Sequence, residues 1–168
     1  GHFNKKRNFG VNDYYPNAKQ FITILRDPFE ILISRFFYVK REEKNQQSFR
    51  NGKKLRLDKN INNYLNQEIK NPDYHPNIVD YFPFNINVDN YKNYINKNFI
   101  YIGIMEDYQF SVNKISEKLN FTFSTKIPHK NKSNRFSNID PDLKQIFKKN
   151  HVLEYQIYNY VKNHYKIW

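Results

Sequence analysis

Two short apolar runs interrupt an otherwise polar sequence. The first, FITIL, spans Phe21–Leu25, and the second, FIYIGI, spans Phe99–Ile104. Continuous runs of β-branched and aromatic residues of this length are typical of strands that are buried on both faces of a sheet. The pattern therefore predicts two core strands of a parallel sheet.

Apolar residues at helical spacing follow the first of these strands. Asp27 can cap the helix, Pro28 suits its first position, and Glu30 completes a capping box. We expect this helix to run to about Lys40. Its predicted buried face consists of apolar residues that recur at helical spacing: Phe29, Leu32, Ile33, Phe36 and Phe37.

The same periodicity predicts further helices over 61–70, 88–97, 108–119, 140–149 and 151–165. In the last of them one face is expected to carry Leu153, Ile157, Tyr160, Val161 and His164. Because strands alternate with helices along the chain, the fold class is predicted to be α/β with a parallel sheet.

Three polar or irregular segments separate the predicted elements. Residues 41–57 are rich in charged and amide side chains around Asn51-Gly52, which indicates an exposed loop or insertion. Residues 71–87 are rich in proline and aromatic residues and are expected to be irregular. Residues 126–138 form a basic loop rich in serine and asparagine.

Composition limits the classes of partner. The chain has 168 residues, 28 basic and 16 acidic, and a formal charge of +12, which favours an anionic partner such as a nucleotide, a nucleic acid, an anionic glycan or a membrane surface. An A/T-rich codon bias explains the excess of Lys equally well. Zero cysteines exclude disulfides and thiolate sites. No apolar run approaches the roughly 20 residues of a membrane span.

Arg26 stands between the first strand and the helix start at Pro28. In a parallel α/β sheet, ligands bind outside the carboxyl ends of the strands. A guanidinium fork beside a helix N-terminus suits a phosphate, and Ser34, about two turns into the helix, could reach the same anion. The alternative is that Arg26 pairs with Asp27 or another acid and that Ser34 is a surface residue.

The segment LRDPFEILIS resembles the strand and helix that bind the 3′-phosphate in sulfotransferases dependent on PAPS (3′-phosphoadenosine 5′-phosphosulfate). It is most similar to the Golgi-type carbohydrate group that includes the heparan sulfate 2-O-sulfotransferases. The matching residues are Leu25, Arg26, Asp27, Pro28, Glu30 and Ser34. The resemblance implies that Arg26 and Ser34 hold the 3′-phosphate. One departure is Ile31, where the family often has a second arginine.

Further segments agree with this family in order and spacing. YIGIME over Tyr101–Glu106 resembles a strand with the family pattern VGxxE, and EYQIY over Glu154–Tyr158 resembles its terminal helix. HKNKS over His129–Ser133 resembles a basic loop that closes over the cofactor. The residues of this loop that fit phosphate contacts are Lys130, Lys132 and Arg135, although a basic loop of this kind is commonly only solvated.

The pair Gly1-His2 resembles a Gly-His pair that precedes the RDP strand in the same group, where the histidine is the general base. An imidazole can take the proton of the acceptor hydroxyl as its oxygen attacks sulfur. The alternatives are an added terminal pair or an exposed, frayed histidine. No segment matches the family's upstream phosphosulfate loop, since none of the four glycines lies in a suitable context. We therefore expect an N-terminally truncated enzyme.

Together these features predict a P-loop-NTPase-like, three-layer sulfotransferase fold over residues 1–168. The predicted activity transfers the sulfuryl group of PAPS to a hydroxyl of a carbohydrate acceptor, an anionic glycan by preference, and releases adenosine 3′,5′-bisphosphate. No metal is expected. The predicted location is the cytoplasm, or the Golgi membrane if the source is eukaryotic and an anchor precedes the chain. The alternatives are a non-enzymatic nucleic-acid-binding domain and a degenerate sulfotransferase fold that binds glycans.

Overall fold

The computed structural model describes residues 10–44, 49–50, 53–54, 60–72, 74, 78–122 and 138–167. Short 3₁₀ turns lie at Val79–Tyr81 and Met105–Asp107. The helices and strands in chain order are α1 (Val11–Tyr14), β1 (Phe21–Leu25), α2 (Pro28–Lys44), β2 (Phe49–Arg50), β3 (Lys53–Lys54), α3 (Ile61–Lys70), α4 (Tyr91–Asn98), β4 (Phe99–Ile104), α5 (Tyr108–Leu119), α6 (Pro141–Asn150) and α7 (Val152–His164).

The strands form two pairs. β1 and β4 run parallel, with Leu25 opposite Ile104 and a register shift between Phe21 and Ile22. β2 and β3 form a short antiparallel pair. The structure therefore confirms a mixed α/β chain with a parallel pair made of the two apolar runs.

The chain divides into two compact units. The first comprises Gly1–Pro28, Asn77–Ile127 and Val152–Trp168, and the second comprises Phe29–Pro76 and Pro128–His151. Within the described residues, the first unit contains the parallel pair with α1, α4, α5 and α7. The second contains nearly all of α2, together with the β2–β3 pair, α3 and α6.

The core of the first unit forms around β4. Its side chains at Tyr101, Ile102 and Ile104 are at most 2% exposed. Gly103 permits α5 to pack closely, because a Cβ atom at this position would lie 2.6 Å from the Cβ of Ser111. The Ser111 hydroxyl accepts from the backbone N–H of Ile104 at 2.8 Å and donates to its carbonyl at 2.9 Å. A glycine and a buried serine thus join the end of the strand to the helix.

The core of the second unit forms between α2, α3 and α6. It contains apolar side chains from all three helices, namely Phe29, Leu32, Ile33, Phe36, Ile61, Leu65, Ile69, Leu143 and Phe147. The side chain of Asn62 fixes the start of α6, since its Nδ2 donates to the carbonyl of Asn138 and its Oδ1 accepts from the backbone N–H of Asp140, both at 3.1 Å.

Several predicted boundaries are confirmed and others change. β1, β4, α3 and α5 have the predicted bounds. α2 continues past Lys40 to Lys44. α4 begins at Tyr91 rather than Val88, because Asn87 and Asn90 form a turn in which each side chain accepts a hydrogen bond from the other's backbone N–H. The segment predicted as a loop over 41–57 contains the end of α2 and the β2–β3 pair.

The close contact at Gly103 gives a stability prediction. We expect Gly103→Ala to lower the free energy of unfolding by about 1–3 kcal/mol, because the added methyl group must push α5 away from β4. Urea denaturation monitored by circular dichroism measures this loss. In a Ser111→Gly background, which removes the opposing Cβ, the same substitution should cost less, and additive losses would contradict the packing argument.

Buried tyrosines in the second unit give a pH prediction. Burial raises the pKa of Tyr64 to about 12, with Glu68 adding to the rise and Arg35 opposing it, and burial also raises the pKa of Tyr74. Because the folded state favours the neutral phenol, this stabilisation is complete below the pKa of an unfolded tyrosine, about 10, and is lost as the pH rises from there towards 12.

Thermal melts between about pH 9 and pH 12 test this expectation. The melting temperature of Tyr64→Phe should fall less steeply with rising pH than that of the wild type. The matched control is Tyr38→Phe, because Tyr38 is 55% exposed. An alkaline loss that is the same in all three proteins would remove Tyr64 as a cause.

Candidate functional site

The carboxyl ends of β1 and β4 lie side by side, because the strands are parallel and Leu25 is paired with Ile104. The residues that follow each strand therefore meet at one edge of the sheet, where ligands bind in open α/β folds. We call this edge the strand-end corner and define it as Arg26, Asp27, Glu106 and Asp107. All of these residues belong to the first unit.

The two halves of the corner are joined directly. The backbone N–H of Asp27 donates to Glu106 Oε1 at 2.9 Å, across 79 positions of sequence. A capping box assigns this donor to the side chain of Glu30. In the structure this donor is bound by an acid from the end of the neighbouring strand, so the residue before α2 is tied to the sheet by a tertiary hydrogen bond.

Three tyrosine hydroxyls from the C-terminal segment donate to the carboxylates of the corner. Tyr155 donates to Asp27 Oδ1 and Tyr158 donates to Glu106 Oε2, both at 3.1 Å. Tyr165, just after α7, donates to Asp107 Oδ2 at 2.8 Å, and the Nζ atom of Lys166 lies 3.7 Å from the same oxygen. Each carboxylate of the corner therefore accepts a hydrogen bond from a neutral phenol.

Arg26 provides the cationic side chain that a phosphate site at this edge requires. It is half-buried, follows the last residue of β1 and stands two positions before the start of α2. A guanidinium at the end of a parallel strand, beside a helix N-terminus, can donate two parallel hydrogen bonds to a phosphate. The corner thus contains one side chain that could bind an anion, Arg26, beside three carboxylates that accept hydrogen bonds from tyrosines.

The structure describes only part of the predicted site. Arg26 is confirmed at the carboxyl end of a parallel strand. Ser34 is half-buried in α2 and belongs to the second unit. Its joint action with Arg26 therefore stays a prediction. The other predicted site residues, His2, Lys130, Lys132 and Arg135, lie outside the described residues.

The predicted site did not include the tyrosines that donate to the corner, Tyr155, Tyr158 and Tyr165. The predicted face of α7 included Leu153, Tyr160 and His164, all of which are only half-buried. The structure confirms Ile157 and Val161 of the predicted face as buried, and the other buried residues of the helix are Tyr155 and Tyr158. A signal was present, since Tyr155 and Tyr158 are spaced i and i+3 and face the same direction. Their partners are distant in sequence, so that spacing alone does not identify the contact.

One polar group near the corner has no partner. The Tyr101 side chain is fully buried, and its hydroxyl makes no hydrogen bond in the part of the chain that the structure describes. Burial raises the pKa of Tyr101. A buried hydroxyl without a partner lowers stability, because it has given up its hydrogen bonds to water.

The buried hydroxyl of Tyr101 gives a stability prediction. We expect Tyr101→Phe to leave the free energy of unfolding unchanged or to raise it by up to about 1 kcal/mol. Ser111→Ala is the contrasting variant, because it removes the buried hydrogen bonds of the serine to both backbone groups of Ile104 and should cost about 1–3 kcal/mol. Urea denaturation of both proteins measures the difference. A clear loss in Tyr101→Phe would show that the hydroxyl has a partner.

Among the described residues, no group of three or more His, Cys, Asp or Glu side chains is arranged to hold a metal ion. None of the described helices is both long and apolar enough to cross a membrane. Comparisons with protein-family models, with curated proteins and with solved structures find no match to this chain. The case for a function therefore depends on the chain's own residues.

Proposed function

We propose that this chain is a sulfotransferase domain that uses PAPS and binds the 3′-phosphate of the nucleotide at the strand-end corner. The observation that carries the proposal is the position of Arg26, half-buried at the carboxyl end of a parallel strand and directly before a helix. This is where α/β folds bind anionic ligands. The resemblance of LRDPFEILIS to the family's phosphate-binding segment supports the same assignment.

The proposed reaction is an in-line substitution at sulfur. The acceptor hydroxyl oxygen forms a bond to sulfur while the bond from sulfur to the 5′-phosphate oxygen breaks, and adenosine 3′,5′-bisphosphate leaves. Arg26 holds the 3′-phosphate, so that the nucleotide is fixed in place before the transfer. The resemblance assigns His2 to take the proton of the acceptor hydroxyl, Ser34 to the 3′-phosphate, and Lys130, Lys132 and Arg135 to phosphate contacts.

An acidic glycan is the proposed acceptor. The formal charge of +12 suits a polyanionic carbohydrate, and a hydroxyl of such a glycan supplies the nucleophilic oxygen. The three-layer fold of the family belongs to the same proposal. Its support here is the parallel pair of strands, with helices between them in sequence.

The nucleic-acid-binding alternative receives less support. Binding of single strands uses exposed aromatic side chains on which bases stack. Many aromatic side chains of this chain are buried instead, including Phe29, Phe36, Tyr64, Tyr74, Phe82, Tyr91, Tyr101, Phe147, Tyr155, Tyr158 and Tyr165. Much of the aromatic content that suggested base stacking is therefore used in the two cores.

Isothermal titration of adenosine 3′,5′-bisphosphate tests the role of Arg26. We expect Arg26→Ala to weaken binding by about 10- to 100-fold, the effect of losing a charge-assisted bidentate contact. The affinity of Arg26→Lys should lie between those of the wild type and Arg26→Ala, because a lysine keeps the charge but not the planar guanidinium. Adenosine 5′-monophosphate, which lacks the 3′-phosphate, should bind all three proteins similarly.

The matched control is Arg41→Ala, which removes an exposed arginine of α2 outside the corner and should bind like the wild type. Equal affinity of the wild type and Arg26→Ala for the bisphosphate would refute the assignment of Arg26. Binding of RNA that falls steeply with salt, without affinity for the bisphosphate, would favour the nucleic-acid-binding alternative. Nucleotide binding without transfer of a sulfuryl group to any glycan would favour the alternative of a degenerate sulfotransferase fold that binds glycans.

A further inference from the structure

Two hydrogen bonds hold the residue that follows Arg26, and a third holds the acid that accepts one of them. The backbone N–H of Asp27 donates to Glu106 Oε1 at 2.9 Å, and the side chain of Asp27 accepts from Tyr155 at 3.1 Å. Glu106 is itself held by Tyr158, whose hydroxyl donates to Oε2 at 3.1 Å. Both the backbone and the side chain of Asp27 are therefore fixed, by groups from the end of β4 and from α7.

This network constrains the direction of the arginine side chain. The peptide group between Arg26 and Asp27 is planar, so a hydrogen bond from its N–H fixes the orientation of that plane. The plane in turn restricts the ψ angle of Arg26. Pairing of Leu25 with Ile104 holds the chain on the other side of Arg26. The Cα atom of Arg26 is thus anchored on one side by strand pairing and on the other by the held peptide.

The two hydroxyls are not needed to pack α7. The helix is fixed in the first unit by Ile157 and Val161, which are fully buried. The rings of Tyr155 and Tyr158 add buried apolar area, which phenylalanine would supply equally well. What phenylalanine cannot supply is the O–H donor that orients a carboxylate. The hydroxyls therefore have a role that can be separated from packing.

We infer that Tyr155 and Tyr158 are positioning residues that hold the corner so that Arg26 is preorganised for the 3′-phosphate, an inference that rests on the proposed function. Neither tyrosine touches the nucleotide. Tyr158 acts through Glu106 on the Asp27 backbone, and Tyr155 acts on the Asp27 carboxylate. A preorganised side chain loses less conformational freedom on binding, which raises affinity without adding a contact.

The experiment compares Tyr155→Phe, Tyr158→Phe and the control Tyr160→Phe with the wild type. Tyr160 lies on the same helix, but its hydroxyl donates to Asn96 Oδ1 at 2.7 Å, away from the corner. Titrations with adenosine 3′,5′-bisphosphate and with adenosine 5′-monophosphate give the affinities. Hydrogen exchange of the Asp27 amide, measured by NMR without nucleotide, reports directly on the hydrogen bond to Glu106.

We expect Tyr155→Phe and Tyr158→Phe each to weaken bisphosphate binding by about three- to tenfold, while 5′-monophosphate binding stays unchanged. Tyr158→Phe should also speed exchange of the Asp27 amide, because Glu106 loses one of its two anchors. Tyr160→Phe should match the wild type in every measurement. In a Glu106→Ala background, Tyr158→Phe should have no further effect on affinity, since the carboxylate that links Tyr158 to the Asp27 backbone is absent.

The outcomes separate this inference from the function on which it rests. If the bisphosphate binds through Arg26 but the tyrosine variants bind it as tightly as the wild type, the positioning role is wrong and the proposed function stands. If both nucleotides lose affinity equally, the substitutions act on the fold and the positioning role is again wrong. If the wild type does not bind the bisphosphate, or binds it without using Arg26, both proposals are overturned.

Discussion

The parallel pairing of β1 with β4 is the constraint on which the first unit depends. It places Leu25 opposite Ile104 and so brings two chain segments, far apart in sequence, to one edge of a sheet. The hydrogen bond from Asp27 to Glu106 is possible only in this register, because a shift by one residue would turn each strand end to the opposite face. The close contact between Gly103 and Ser111 fixes the other face of β4 against α5. The corner therefore takes its position from strand pairing and packing, and its polar groups then fix the Arg26–Asp27 peptide within it.

The carboxylates of the corner are satisfied in an unusual way for an edge that is proposed to bind an anion. Asp27, Glu106 and Asp107 each accept from a tyrosine, and the Nζ atom of Lys166 lies 3.7 Å from Asp107 Oδ2. A phenol is neutral, so it satisfies an acceptor oxygen without bringing in a positive charge. The tyrosines therefore add hydrogen bonds to the corner without adding charge to it.

The local signals in the sequence were sufficient for much of the fold. The bounds of β1, β4, α3 and α5 follow from apolar runs, helical periodicity and caps, all of which act over a few residues. The partners of the corner act over longer distances, since Asp27 and Glu106 are 79 positions apart. The face of α7 was predicted correctly at Ile157 and Val161, but Tyr155 and Tyr158 were missed, because tyrosine is both aromatic and polar and fits either side of a helical wheel. The position of Arg26 could be predicted because it follows from the end of an apolar strand and the start of a helix alone.

The charges of the corner show what kind of recognition it can perform. The whole chain has a formal charge of +12, yet the corner contains more acidic than basic side chains, with Arg26 set among Asp27, Glu106 and Asp107. A general electrostatic field at this edge would therefore not attract a phosphate strongly. Directional hydrogen bonds from one guanidinium would have to do so, and their strength depends on how well the donor is aligned. A site of this type gains affinity from rigidity more than from charge. This is why the groups that fix the Arg26–Asp27 peptide matter as much as the arginine itself.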